Sequence, residues 1–143
     1  MSFVDFTREY KFMKLDINGA IQKVLRRGNF ILGPEVENFE RNFSQYNGAK
    51  YCVGVNSGTD ALYLSLLAAG IGKGDEVIIP VNTALPTAMA VIMSGACPVF
   101  VDCDPSFLID IKKIPNHITP KTKAMIPVHL YGMACDMTQL IKI

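Results

Sequence analysis

Three small residues, Ser57-Gly58-Thr59, interrupt an otherwise apolar stretch, between "YCVGVN" and "DALYLSLLAAG". If a helix starts here, its first backbone N–H groups have no partner inside it and carry the positive end of the helix dipole. Such an end suits an anion. Gly58 would let a phosphate approach the backbone closely, and the hydroxyls of Ser57 and Thr59 would add donors. The plainer reading is a helix cap, because Ser57 and Asp60 have the S-x-x-D spacing of a capping box, which needs no ligand. The two readings are compatible: a serine cap uses the third N–H and leaves the first two free. The chain contains neither GxGxxG nor GxxxxGK[ST], which counts against a dinucleotide fingerprint and a nucleoside triphosphatase. A single phosphate remains the candidate.

Other polar groups are weaker signals. Asp102 and Asp104 in "VDCDP" are close enough to invite an acid–base proposal, but as turn formers before Pro105 they need no such role. Asn82-Thr83 reads equally as a cap for the helix that follows and as a ligand contact. His129 in "PVHLYG" is a lone histidine, a residue more often hydrogen-bonded for structure than catalytic. With His117 it has no second ligand at metal spacing, so no zinc site is expected.

These residues need elements to position them. Apolar residues at helical spacing predict a helix over 10–25, closed by Gly28, with Phe12, Leu15, Ile17, Ile21, Val24 and Leu25 as its stripe. Pro34, Glu35 and Glu37 open a second helix that ends before Gly48, striped by Val36, Phe39, Phe43 and Tyr46. Beyond Gly48 four β-prone runs follow, at 51–55, 76–80, 98–102 and 123–130. Helical stretches at 58–69 and 85–94 separate the first three, and a shorter helix near 111–116 precedes the fourth. Strands alternating with helices predict an α/β fold with a mostly parallel sheet. Continuous apolar runs predict strands covered on both faces. The final "CDMTQLIKI" reads as the opening of a further helix.

The 143 residues carry a formal charge of +1, with 50% hydrophobic and 19% charged residues, which is ordinary for a globular chain. No charge block suggests nucleic acid or an anionic membrane. The N-terminus lacks the apolar core of a signal peptide, and the apolar runs are too short to span a bilayer. The four cysteines include no CxxC pair, and three lie in or beside apolar runs. Buried, reduced thiols in a cytoplasmic protein are the expectation.

Four ordered blocks, "REYKFMKLDINGAIQKVLRRGNFILGPEVENFERNF", "YCVGVNSGTDALYLSLLAAGIGKGDEVIIP", "GACPVFVDCD" and "ITPKTKAMIPVHLYGMACDM", resemble the N-terminal portion of the DegT/DnrJ/StrS family of sugar aminotransferases. The resemblance implies the aspartate-aminotransferase-like fold (fold type I) with pyridoxal 5'-phosphate as cofactor. It also implies a homodimer that moves an amino group, usually from glutamate, to a keto group of a nucleotide-linked sugar. On that basis Ser57, Gly58 and Thr59 hold the cofactor phosphate, and Asn82, Thr83, Ala84 and Leu85 lie against the cofactor. Many relatives have an aromatic residue where this chain has Ala84. Phe30, Gly33, His129 and Tyr131 are expected near the substrate, and Asp102 and Asp104 are not assigned chemistry.

Transamination also needs a lysine that forms a Schiff base and moves a proton. None of the ten lysines stands in the setting the resemblance requires; that lysine and the aspartate at the ring nitrogen are expected beyond residue 143. The sequence is therefore read as an N-terminal fragment, with residues 1–48 a helical segment and 49–143 the first part of the large domain. A dehydratase of the same family and a non-catalytic binding module are the alternatives.

Overall fold

The computed structural model describes residues 4–143, and the chain separates between Gly54 and Val55 into two compact units. In the first unit, α1 spans Phe6–Arg27 and α2 spans Pro34–Tyr46. Asp5 caps α1 by accepting from the Arg8 N–H at 3.0 Å, and Gly28 ends it at φ 68°, a left-handed value suited to glycine. Glu35 in the first turn of α2 accepts from Arg27 of α1 at 2.7 Å. The expected stripes form on these helices but are not buried: α1 has no buried residue, and Phe12 and Leu15 are more than four-fifths exposed. Helical periodicity reports a face that can be covered; it does not supply the cover.

The second unit is the α/β part. Its sheet has three parallel strands in the order β2-β1-β3, with β1 at Glu76–Pro80, β2 at Cys97–Val101 and β3 at Thr122–Met125. Helices α3 (Gly58–Ala68) and α4 (Leu85–Met93) cover one face. A 3-10 turn at Ile114–His117 and the short α5 at Met137–Leu140 contribute to the other. β1 shows why both faces are needed. Val77 and Ile79 enter a core with Leu66, Ile71 and Val91 on the helix face, while Ile78 enters another with Val101, Ile109, Ile114 and Leu140. Val77, Ile78 and Ile79 have no exposed surface. Adjacent residues of a strand point to opposite faces, so the run "VII" serves two cores at once.

Three expectations need correction. Residues 51–55 form no strand: they pair with no strand among the described residues, the Gly54 N–H donates to the Glu40 carboxylate instead, and Tyr51 and Val53 are exposed. β-propensity is realised only against a partner strand. The fourth run is strand only at Thr122–Met125 rather than 123–130. The Ile126 N–H still donates to the Ile78 carbonyl at 2.8 Å, but Pro127, with no N–H, ends the ladder. Of the cysteines only Cys135 is buried, and Cys97 is exposed.

Candidate functional site

The carboxyl ends of the strands are where an open parallel sheet holds ligands, above all where successive connections leave on opposite faces. β1 leaves through α4 on the helix face, whereas the chain after β3 reaches Cys135 and Leu140 on the other. The crevice beside the end of β1 is therefore the place to look.

At the start of α3, Ser57 is the N-cap, with extended backbone (φ −157°, ψ 165°). Its hydroxyl accepts from the Asp60 N–H at 3.1 Å and donates to the Asp60 carboxylate at 3.0 Å. The serine cap is thus present, with the Asp60 carboxylate turned back onto the Ser57 hydroxyl. Ser57 satisfies the third N–H of the helix, while the N–H groups of Gly58 and Thr59 have no partner among the described residues. A Cβ added at Gly58 would meet nothing within 4 Å. Two aligned free donors, open space over a glycine and a neighbouring threonine hydroxyl form a fitting seat for a phosphate.

The segment after β1 does not cap α4 as expected. The N-cap is Ala84, without a side-chain bond, and Pro86 occupies the first turn. Thr83 instead places its hydroxyl 2.7 Å from that of Thr87, one turn on. Asn82 reaches away from the helix and donates to the Phe107 carbonyl at 3.3 Å, tying the end of β1 to the loop after β2. Ala84 and Leu85 are exposed.

Asp102 and Asp104 act as loop formers. Asp104 accepts from the N–H and hydroxyl of Ser106 and so folds its own turn. Asp102 accepts from Lys113 Nζ at 2.7 Å and from the Cys103 N–H at 2.8 Å. The Lys113 hydrogen bond, then that of Cys103, holds the Asp102 carboxyl below its usual range; the bond from Ser106 does the same for Asp104. Both carboxylates are thereby kept ionised, which is a poor state for a general acid.

After β3, His129 is exposed, and its Nδ1 accepts from the Cys135 N–H at 3.0 Å. The buried Cys135 thiol donates to the Val128 carbonyl at 3.3 Å, and burial pushes its pKa up. Tyr131 stands at the tip of the turn between, in edge contact with Phe107 at 5.9 Å between ring centres. Sequence reasoning missed Phe107, whose role depends on a contact across 24 residues with no local signature. The second unit thus carries Ser57–Thr59 at the start of α3, Asn82–Leu85 between β1 and the start of α4, and His129 and Tyr131 in the loop after β3. Phe30 and Gly33 belong to the first unit, where Phe30 is exposed and Gly33 is the N-cap of α2.

A parallel sheet packed on both faces defines an α/β protein, and its α3 starts with two free N–H groups that could seat an anion. The DegT/DnrJ/EryC1/StrS aminotransferase family profile matches residues 12–143, and the chain belongs to that family. It is 48% identical over 133 residues to the dTDP-3-amino-3,4,6-trideoxy-alpha-D-glucose transaminase of Micromonospora megalomicea subsp. nigra, covering 92% of this chain and 36% of the relative. With the dTDP-3-amino-3,6-dideoxy-alpha-D-galactopyranose transaminase of Aneurinibacillus thermoaerophilus it shares 46% identity over 139 residues, or 96% and 38% of the two chains. Among solved structures, S. venezuelae DesV in complex with a ketimine intermediate superposes with a TM-score of 0.93 at 42% identity, over 99% of this chain and 38% of that one. The expected α/β aminotransferase fold is the one found. The chain spans little more than a third of the length of these relatives. No helix among the described residues is long and apolar enough to cross a membrane.

Proposed function

We propose that this chain forms the phosphate-anchoring part of a pyridoxal 5'-phosphate-dependent aminotransferase acting on a nucleotide-linked keto sugar. Glutamate is the amino donor in this reading, and the protein works as a homodimer in the cytoplasm. The observation that carries the reading is the pair of unpartnered N–H groups at Gly58 and Thr59, in a chain of an aminotransferase family.

When bound, the cofactor supplies the electrophilic carbonyl and electron-withdrawing ring that amino exchange requires. The residues of this chain hold and orient. Ser57 fixes the first turn of α3, so that Gly58 and Thr59 present their N–H groups without rearrangement, and the Thr59 hydroxyl adds a donor. Asn82 fixes the loop over β1. No lysine of this chain is assigned the proton transfer, and Lys113 is held by Asp102.

The test is Gly58→Val in the full-length protein, with cofactor titrated by absorbance. The open space at Gly58 lets the variant fold, while the added side chain should keep the phosphate off the N–H groups and cut affinity sharply. Unchanged affinity would reject the phosphate assignment. Glutamate and a keto-sugar nucleotide should yield an amino sugar; release of a deoxy keto sugar would favour the dehydratase.

A further inference from the structure

Among the described residues three other than glycine have positive φ, and two of them are aromatic: Phe107 at 66° and Tyr131 at 54°. Bulky side chains rarely adopt this conformation, and where they do the strain is often tied to function. Each residue stands in a tight turn. The Phe107 N–H donates to the Asp104 carbonyl at 2.9 Å, and the Asp104 N–H to the Leu108 carbonyl at 2.9 Å. Tyr131 and Gly132, both at positive φ, form the centre of a turn closed by the Met133 N–H on the Leu130 carbonyl at 2.9 Å. The two turns bring the rings edge to face, with planes at 84°. Within this chain the pair is not buried: Phe107 is 60% and Tyr131 78% exposed.

Position narrows what the rings can meet. Leu108, Ile109 and Leu130, which flank them, pack with Ile78 and Val101 on one face of the sheet, whereas α3 packs against the other. The segments that carry the aromatic pair therefore pack on the side of β1 opposite α3, and Asn82, just past the end of β1, is bonded to the Phe107 carbonyl. A molecule anchored by phosphate at α3 leaves the pair to the second reactant. Asp104, ionised at the base of the Phe107 turn, disfavours a diphosphate there. The neutral sugar fits better, since one face of its ring is lined by C–H groups that an aromatic surface covers while the hydroxyls stay at the rim.

We infer that Phe107 and Tyr131 form an aromatic rest for the sugar ring of the substrate. The inference rests on the reading that the protein acts on a nucleotide-linked sugar.

The test uses the full-length protein loaded with cofactor. Binding of dTDP-glucose, UDP-glucose and GDP-mannose, and of free dTDP, UDP and GDP, is measured by calorimetry for the wild type, Phe107→Leu, Tyr131→Phe and Tyr131→Asn. Phe107→Leu and Tyr131→Asn should weaken the sugar nucleotide roughly three- to tenfold, the range of one aromatic contact. The free nucleotide should bind as before, and Tyr131→Phe should behave as the wild type. Asparagine tolerates positive φ, so Tyr131→Asn should melt at the same or a higher temperature. Lower melting with unchanged sugar binding would make the rings packing residues and overturn the proposal. Equal weakening of free nucleotide would put the base on the pair, and would overturn it too. If no probe binds the wild type, the sugar-nucleotide reading itself fails, a result separate from either.

Discussion

The Cys135 N–H donates to Nδ1 of His129 across 3.0 Å, so the neutral imidazole carries its proton on Nε2. His129 is thus a tether for the loop after β3, with a donor left over. His129→Asn retains an acceptor near the Nδ1 position, whereas His129→Ala removes it. The alanine variant should lose about 0.5–1.5 kcal/mol in denaturant unfolding and the asparagine variant less. Equal loss in both would mean that the hydrogen bond contributes nothing.

Stability and phosphate binding should separate at the start of α3. Ser57→Ala removes the cap bond and should lower unfolding stability by about 0.5–2 kcal/mol. Gly58→Val should leave the melting temperature nearly unchanged, because no atom lies within 4 Å of the added Cβ. Thr59→Ala should weaken cofactor binding by about 0.5–1.5 kcal/mol, the value of one hydrogen bond. Matching effects of all three on stability and affinity would rule out this division of roles.

Acid should loosen the loops on the β2 side. Asp102, Asp104 and Asp136 have lowered pKa values in the fold, through bonds from Lys113, Ser106 and the Gln139 N–H respectively. Protons therefore favour the unfolded chain: the stabilisation is complete above the ordinary carboxylate range near about 4 and fades as pH falls through the lower folded values. The Lys113 pKa is raised, chiefly by its bond to Asp102, so its share is complete below about 10 and fades as pH rises through the folded value. Melting curves should show a plateau between these limits. Asp102→Asn should lower the plateau and flatten its acid shoulder; an unchanged shoulder would count against the ion pair.

Packing sets a larger scale than any of these bonds. Ile78 and Ile79 are fully buried on opposite faces. Either residue changed to alanine should cost about 2–5 kcal/mol, measured by chemical denaturation. The pair should be close to additive if the two cores respond independently. Gly95→Ala should also destabilise, because Gly95 has φ 87° and its Cβ would meet the Lys73 nitrogen at 3.3 Å.

What could be read in advance followed the range of the interaction. The Ser57 cap is local, written within four consecutive residues, and was legible; β1 was legible as a continuous apolar run, although its partners lie 21 or more residues away. Residues 51–55 have the composition of a strand, but a strand is made by its neighbour, which composition does not reveal. Asn82 read equally as a cap for the helix just after it and as a ligand contact, and it bonds a carbonyl 25 residues away. Tyr131 was singled out in advance, as a residue the "PVHLYG" resemblance implies near the substrate. Phe107 was not, because its backbone conformation and aromatic partner exist only once both turns have folded.

The alternation along β1 constrains how a gene of this kind can change. Substitutions at Val77, Ile78 or Ile79 remove contacts from one core at a time. A one-codon insertion or deletion between 76 and 80 would instead exchange the faces of every residue after it, offering each core the side chains shaped for the other. It would also shift the point at which Asn82 emerges beneath Phe107. Length polymorphism should therefore be found in the turns around Gly74 and Lys121, where the neighbouring chain is exposed, and be absent from these five positions.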